Sequence, residues 1–250
     1  VIVPASNANT VAVISAATNT VTATINVGSN PRGVAVNPAG TFAYVSNYNS
    51  NTVSVINTAS NTVTATVNVG TNPQGLAVNP AGTLVYVANY GSNNVSVIDA
   101  ISNTVTATVT VGAGPYSVTL NPAGTSAWVP NYNGGTISII DTSTNTVSST
   151  ISGGGFAVAF NPSGTRAYIG NGGSVQVVDT SNNTNVTQIT TGLHYPVGVA
   201  VNAQGTFLYV ANDDNPTGNS VSVIDTSTNT IASTISVGIN PVALGNFAFS

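Results

Sequence analysis

The chain has 250 residues, of which 42% are hydrophobic and only 3% are charged, whereas about a quarter of the residues are charged in ordinary soluble proteins. Arg32 and Arg166 are its only strong bases. Because nucleic-acid affinity comes from many Lys and Arg contacts to phosphate, we expect no nucleic-acid partner. No stretch approaches the roughly 18 apolar residues of a membrane span, so we expect no membrane insertion by this segment.

The chain opens with three short segments in which apolar and polar residues alternate, at residues 1–6, 10–15 and 19–27. Alternation with a period of two between turn residues predicts half-buried β-strands, whose side chains point in turn to the two faces of a sheet. From Pro31 onward the pattern has four strands per unit. A single four-stranded sheet cannot bury both of its faces, so each unit needs copies of itself.

The copies occur at a nearly constant period. A large aromatic residue recurs at intervals of 42, 42, 40 and 41 residues, and Ile2 holds the same position in a first, partial unit. The aromatic positions are Tyr44, Tyr86, Trp128, Tyr168 and Tyr209. An Asn-Pro-Ala-Gly or Asn-Pro-Ser-Gly turn precedes four of them, and the fifth turn reads Asn-Ala-Gln-Gly from Asn202. A period of this length with four strands per unit predicts a β-propeller.

We therefore predict an all-β fold, a single six-bladed β-propeller of four-stranded antiparallel blades over residues 1–250. The last inner strand, at residues 242–245, is at the C-terminus, and its three partner strands are at the N-terminus. Pairing the C-terminal inner strand with the N-terminal strands would close the ring and remove an open edge. The predicted blades are residues 1–28 with 241–250, 31–70, 73–112, 115–152, 155–192 and 196–238.

The recurring aromatic begins a four-residue motif, Tyr-Val-Ser-Asn from Tyr44 and Tyr-Val-Ala-Asn from Tyr86, and a run such as Asn-Val-Ser-Val-Ile-Asp at residues 94–99 follows. These segments resemble the YVTN-family β-propeller repeat over nearly the whole chain. The first unit departs from the motif with Ile-Val-Pro-Ala from Ile2. The resemblance implies the propeller fold and similarity to surface-layer and other cell-surface proteins. The broader group includes sugar-lactone hydrolases and redox-enzyme propellers.

The third strand of each predicted blade ends on a short polar residue. These residues are Ser15, Asn57, Asp99, Asp141, Asp179 and Asp225. Side chains of this kind accept hydrogen bonds from backbone N–H groups in the turn that follows. We therefore interpret these four aspartates as structural, which leaves two acidic residues outside the repeat.

Few residues remain for catalysis or metal binding. Asp213 and Asp214 lie in a widened loop, where adjacent carboxylates are either a weak candidate site for a hard cation or a solvated loop tip. His194 is the only histidine, so neither a His-based metal cluster nor a Ser-His-Asp arrangement is indicated. Because the chain has no Glu, the acidic residues of the lactone hydrolases cannot be carried over. We predict no catalytic residues and no cofactor.

The units differ most in two sets of loops, which an up-and-down blade places on one face. Aromatic and Arg enrichment on a loop face is typical of recognition surfaces, although loops also vary freely in sequence. We predict that this face is the ligand-binding site. Its residues are Arg32, Gln74, Tyr116, Phe156, His194, Tyr195 and Val242 near the axis, and Tyr48, Tyr90 and Tyr132 in the second set of loops.

The predicted outermost strands are rich in Thr, Val and Ser and lack the Lys and Pro that usually protect exposed edges. They span residues 62–69, 104–111, 147–151 and 230–237. Such edges could pair with another subunit, carry glycans on their hydroxyls, or remain solvated. Three sequons, at Asn94, Asn182 and Asn185, permit N-glycosylation, but they arise readily by chance in a chain so rich in Asn, Ser and Thr.

Low charge, unprotected edges and the family resemblance favour a non-catalytic extracellular structural or interaction protein. It would be a surface-layer, sheath or filament subunit, or a propeller module of a larger cell-surface protein. Its partners would be other protein subunits, further copies of this chain among them, or cell-surface components. The alternative is an adhesion module that binds glycans or peptides through the loop face. A lactone hydrolase is the third hypothesis.

Overall fold

The computed structural model describes residues 1–213, 219–239 and 241, and these residues form antiparallel strands and turns with no helix. The strands are β1 (Ile2–Ala5), β2 (Thr10–Ser15), β3 (Thr20–Asn26), β4 (Pro31–Val36), β5 (Phe42–Asn47), β6 (Thr52–Asn57), β7 (Thr62–Asn68), β8 (Pro73–Val78), β9 (Leu84–Asn89), β10 (Asn94–Asp99), β11 (Thr104–Thr110), β12 (Thr119–Leu120), β13 (Ser126–Asn131), β14 (Thr136–Asp141), β15 (Thr146–Ser152), β16 (Ala157–Phe160), β17 (Arg166–Gly170), β18 (Val175–Asp179), β19 (Thr184–Ile189), β20 (Pro196–Val201), β21 (Phe207–Asn212), β22 (Ser220–Asp225) and β23 (Thr230–Ser236).

The strands form six sheets in chain order: β1–β3, β4–β7, β8–β11, β12–β15, β16–β19 and β20–β23. Consecutive four-stranded sheets contact one another through their first strands, from β4 and β8 to β16 and β20. These first strands are therefore the inner strands around a common axis, which confirms six blades. The predicted inner strand at residues 242–245, and the pairing that would close the ring, lie outside the described residues.

The alternation of apolar and polar residues alone predicts half-buried strands. The two middle strands of most blades are instead buried on both faces. In β10, Val95, Ser96, Val97 and Ile98 are all buried. A blade lies between two neighbouring blades, so both faces of its middle strands are covered. The outer strand β11 keeps the expected alternation, because its exposed threonines face solvent.

The recurring aromatic packs between neighbouring blades, as its amphipathic side chain predicts. Tyr86 is fully buried and belongs to the same core cluster as Val118 and Val129 of the next blade. Its hydroxyl donates to Oδ1 of Asn145, also in the next blade, at 3.1 Å. The aromatic therefore joins two blades through both its apolar ring and its polar end.

The inner strands approach each other closely at the axis. A Cβ added to Gly75 would lie 2.8 Å from Cα of Ser117, and one added to Gly33 would lie 2.6 Å from the carbonyl oxygen of Gln74. The amide of Gly75 also donates to the carbonyl of Tyr116 at 3.0 Å. Backbone contact of this kind between blades requires glycine.

The turns explain why the chain is so rich in asparagine. Eleven asparagines in the described ranges have φ between 52° and 58°, the left-handed region that Asn tolerates better than most residues. They recur at equivalent turns in successive blades, as Asn9, Asn51 and Asn93 do in the loops between second and third strands.

The residues that end the third strands accept hydrogen bonds in the following turn, which confirms the prediction. Oδ1 of Asp99 accepts from the amides of Ile101 at 3.0 Å and Ser102 at 2.7 Å. Asn57 makes the equivalent bonds in its own blade. The backbone hydrogen bond from Ser102 is the main reason why the pKa of Asp99 is lowered from its ordinary value of 3.8.

Candidate functional site

The two sets of variable loops lie on one face of the disc and are joined by backbone hydrogen bonds. The amide of Tyr90 donates to the carbonyl of Asn72 at 3.0 Å, and the amide of Tyr132 donates to that of Gly114 at 2.9 Å. We call the side chains gathered there the aromatic face. It comprises Arg32, Tyr48, Tyr90, Tyr116, Tyr132, Phe156, Tyr195 and Asp213.

Five rings from four consecutive blades form a continuous chain on this face. Tyr116 is at its centre, with ring centroids 6.5 Å from Tyr90, 6.2 Å from Tyr132 and 5.2 Å from Phe156. Phe156 also lies 4.7 Å from Tyr132 and 5.7 Å from Tyr195. Edge-to-face and tilted contacts at these distances stabilise an aromatic cluster beyond the burial of its surface.

The chain of rings is buried at its base and open at its surface. Phe156 is 7% exposed, whereas Tyr132 and Tyr195 are each 42% exposed. Tyr90 and Tyr116 are half-buried between them. Phe156 therefore supports a patch whose outer rings present both an apolar surface and a phenol edge to solvent.

Two opposite charges, Arg32 and Asp213, act on the patch. The guanidinium of Arg32 lies 5.1 Å from the ring centroid of Tyr48, a cation–π distance. Burial raises the pKa of Tyr116, the charge of Arg32 opposes that rise, and the charge of Asp213 adds to it. The phenol of Tyr116 therefore stays protonated at neutral pH and keeps its ability to donate a hydrogen bond.

Sequence reasoning missed one partner in this network. Asn133 donates through Nδ2 to the hydroxyl of Tyr90 at 3.0 Å, and its Oδ1 lies 3.3 Å from the same hydroxyl. The only signal in the sequence was its place in a variable loop, directly after Tyr132. The contact joins the loops of the third and fourth blades.

Two predicted residues hold other positions than expected. In the sixth blade Pro196 pairs with Asn212, as Pro73 pairs with Asn89 in the third, so the residue equivalent to Gln74 is Val197. His194 and Tyr195 precede that position. Exposed His194 lies in the link, and its amide is 3.3 Å from Oδ1 of Asn212.

Gln74 is buried rather than exposed on the aromatic face. Its side chain is buried, with 6% of the residue exposed, beside the close contact of the inner strands. Val242, the remaining position of this set, lies outside the described residues. The described part of the face thus consists mainly of rings, with Arg32 and Asp213 as its charges.

The weaker candidates are the predicted cation site and the glycosylation sequons. The amide of Asp213 donates to the carbonyl of Tyr195 at 3.1 Å, and Asp214 lies outside the described residues. Over the ranges described, no three His, Cys, Asp or Glu residues are grouped to hold a metal ion. Of the sequons, Asn94 is half-buried in β10, whereas Asn182 and Asn185 are exposed.

A cavity of about 400 Å³ lies between the fourth and fifth blades. Amides, a hydroxyl and apolar atoms line it, including Gln176, Gln188 and Ile151. No acid, base or aromatic side chain is among the residues that line it. The aromatic face is therefore the stronger candidate for a functional site.

The described residues include no helix that is long and apolar enough to cross a membrane.

Comparison with known proteins identifies the architecture. No protein-family profile matches the chain, and no curated protein matches it by sequence. Among solved structures 1542 chains match. One, titled Kuenenia stuttgartiensis Hydrazine Synthase, has a TM-score of 0.87 over 96% of this chain and 84% of that chain, at 19% sequence identity. The fold is a six-bladed β-propeller. Identity this low shows the fold alone, and a fold shared by so many chains does not specify a function.

Proposed function

We propose that this protein is a non-catalytic interaction module that acts outside the cell and binds its ligand through the aromatic face. The five-ring chain carries the proposal, because aromatic residues clustered at the centre of a face are typical of binding sites. The resemblance of the repeat to the YVTN family supports a cell-surface setting. A polar surface with very few charges also suits the outside of a cell.

The opposite face supports the proposal by contrast. Its turns repeat one design, in which Oδ1 of Asn79 accepts from the amides of Thr83 and Leu84, and Asn202 repeats this with Thr206 and Phe207. Variation between blades is therefore concentrated where the aromatic residues lie. A purely structural disc has no need to place five rings on one of its two faces.

We expect a variant with Tyr116→Ala, Tyr132→Ala and Tyr195→Ala to lose ligand capture on an array of immobilised glycans and peptides. Removing three adjacent rings takes away the apolar surface on which a ligand would rest, and hot-spot residues each contribute about 2 kcal/mol or more. Ile101→Ala is the control, because Ile101 is 85% exposed in a turn of the opposite face. Unchanged capture by the triple variant would contradict the proposal.

Assembly into a surface layer or filament is a second candidate function, and the outer strands favour it. Val21 in β3, Val147 in β15, Val186 in β19 and Ile235 in β23 are 59%, 37%, 51% and 48% exposed. Exposed apolar residues on unprotected outer strands are typical of surfaces that pair with another chain.

We expect the protein to associate at high concentration, and Val21→Lys with Val186→Lys to reduce that association because charge on an outer strand opposes pairing. Light scattering across a concentration series measures the association of both proteins. Ile101→Lys, which adds a charge without touching an outer strand, is the control. A wild-type protein that stays monomeric throughout the series would rule out assembly by this surface.

A further inference from the structure

We infer that Tyr195 anchors the ligand on the aromatic face and that this ligand is a neutral saccharide, an inference that rests on the proposed function. The backbone of Tyr195 has φ 53°. The matching positions of other links, each just before a proline as Tyr195 is before Pro196, hold Asn30, Asn72 and Gly114 with φ of 55°, 53° and 65°.

Tyrosine is an unfavourable residue for this conformation. Asn and Gly tolerate positive φ, whereas a bulky side chain there strains the backbone. Tyr195 is 42% exposed, so the hydrophobic core does not offset the strain. Strained residues persist where their geometry serves a function, and at this position the feature the strain maintains is an exposed ring.

A neighbouring loop leaves space for that ring. Gly172 has φ 80°, and a Cβ added to it would lie 3.1 Å from Cε2 of Tyr195 and 3.4 Å from Cε2 of Phe156. The fifth blade therefore has glycine where a Cβ would press on the ring of Tyr195 and would be in ordinary contact with that of Phe156. Two unusual backbone positions in different blades thus serve the same exposed side chain.

The ring is also fixed in place before any ligand arrives. The amide of Asp213 donates to the carbonyl of Tyr195 at 3.1 Å, and the amide of Gly172 donates to that of Pro196 at 3.0 Å. The ring of Tyr195 also lies against Phe156, with ring centroids 5.7 Å apart, and the neighbouring phenol of Tyr132 raises the pKa of Tyr195. A side chain held by three blades loses little freedom on binding, which favours affinity.

The chemistry of the face selects the ligand. Among the described residues the charges at the patch are Arg32 and Asp213, which have opposite effects on the pKa of Tyr116, so the described part of the face favours neither sign of ionic ligand. The exposed rings of Tyr132 and Tyr195 combine apolar faces with phenol edges. A pyranose ring has the matching surface, with C–H groups on one face and hydroxyls at its edge.

The test compares wild type, Tyr195→Asn and Tyr195→Phe. The probes are immobilised neutral oligosaccharides of glucose, mannose and N-acetylglucosamine, oligosaccharides that carry carboxylates, and a polyproline peptide. We expect wild type to capture a neutral oligosaccharide and Tyr195→Asn to bind it at least tenfold more weakly. The same variant should raise Tm by about 2 to 4 °C, because Asn relieves the backbone strain.

Tyr195→Phe is the matched control, since it keeps both the ring and the strain: its affinity should lie between those of wild type and Tyr195→Asn, because only the phenol hydroxyl is lost, and its Tm should not rise. Equal affinity of Tyr195→Asn and wild type would overturn the anchoring role while the proposed function stands. Capture confined to polyproline or to acidic oligosaccharides would overturn the inference that the ligand is a neutral saccharide. A wild type that captures none of the probes would overturn the proposed function itself.

Discussion

Tyr86→Ala is expected to lower the free energy of unfolding by about 3 to 5 kcal/mol, the usual cost of deleting a buried aromatic side chain. Tyr86 is fully buried between the third and fourth blades, in one cluster with Val118, Leu120 and Val129 of the fourth. Removing its ring leaves a cavity. The backbone cannot move in to fill it, because the strands of each blade are hydrogen-bonded to one another. Urea unfolding measures the change.

Two further variants separate the contributions of Tyr86. Tyr86→Phe removes only the hydrogen bond from the hydroxyl to Oδ1 of Asn145, so we expect it to cost about 0.5 to 1.5 kcal/mol. Tyr132→Ala deletes an equally large ring that is 42% exposed, and we expect it to cost about 1 kcal/mol or less. Equal losses for Tyr86→Ala and Tyr132→Ala would show that the aromatic position does not hold the blades together.

Replacing Asp99, Asp141 and Asp225 together by Asn is expected to flatten the acid dependence of stability. Hydrogen bonds in their turns lower the pKa of all three carboxyls from the ordinary 3.8. The largest contributions come from the amide of Ser102 to Asp99 and from the hydroxyls of Ser143 and Ser227 to the other two.

The sign follows from the lowered pKa. Each carboxylate stabilises the folded state above its unfolded pKa, and this contribution is lost as the pH falls through the lower folded-state pKa. Asn accepts the same hydrogen bonds at every pH, as Asn57 does in its own blade. The Tm of wild type should therefore fall more than that of the triple variant between about pH 6 and about pH 2.

The fourth aspartate is excluded from the variant, and a triple alanine variant serves as the control. Asp179 is left unchanged because it also pairs with Arg166 at 2.6 Å, which adds a second cause to its lowered pKa. Changing the same three aspartates to Ala removes the hydrogen bonds at every pH, so that variant should be less stable than wild type at neutral pH and approach it in acid. Parallel Tm curves for wild type and the Asn variant would contradict the role of the carboxylates.

Most of the architecture could be predicted because each blade repeats one local pattern. The period of about 42 residues, the strand alternation and the Asn-Pro turns all act within a unit, so the sequence specifies a blade without reference to distant residues. The prediction of half-buried middle strands was wrong, since coverage of their second face depends on the neighbouring blade. A short-range pattern does not reveal that contact.

The site was predicted less completely, because it depends on loops from several blades. Up-and-down topology placed Tyr90, Tyr116 and Tyr132 on one face, but whether their rings would meet was open. The predicted position of Tyr195 was wrong, although Pro196-Val197-Gly198 matches Pro73-Gln74-Gly75 in the sequence and makes Val197 the equivalent of Gln74. Asn133 had no signal beyond its loop.

The sequence by itself determined the repeated strands, the turn chemistry and the number of blades, because these follow from interactions between residues close along the chain. Only the tertiary structure decided which side chains meet across blades: Tyr86 with Asn145, and Phe156 with both Tyr132 and Tyr195. Such contacts join residues of different repeats, so their distances are set by how the blades stack around the axis. That stacking places the five rings on one face of the disc.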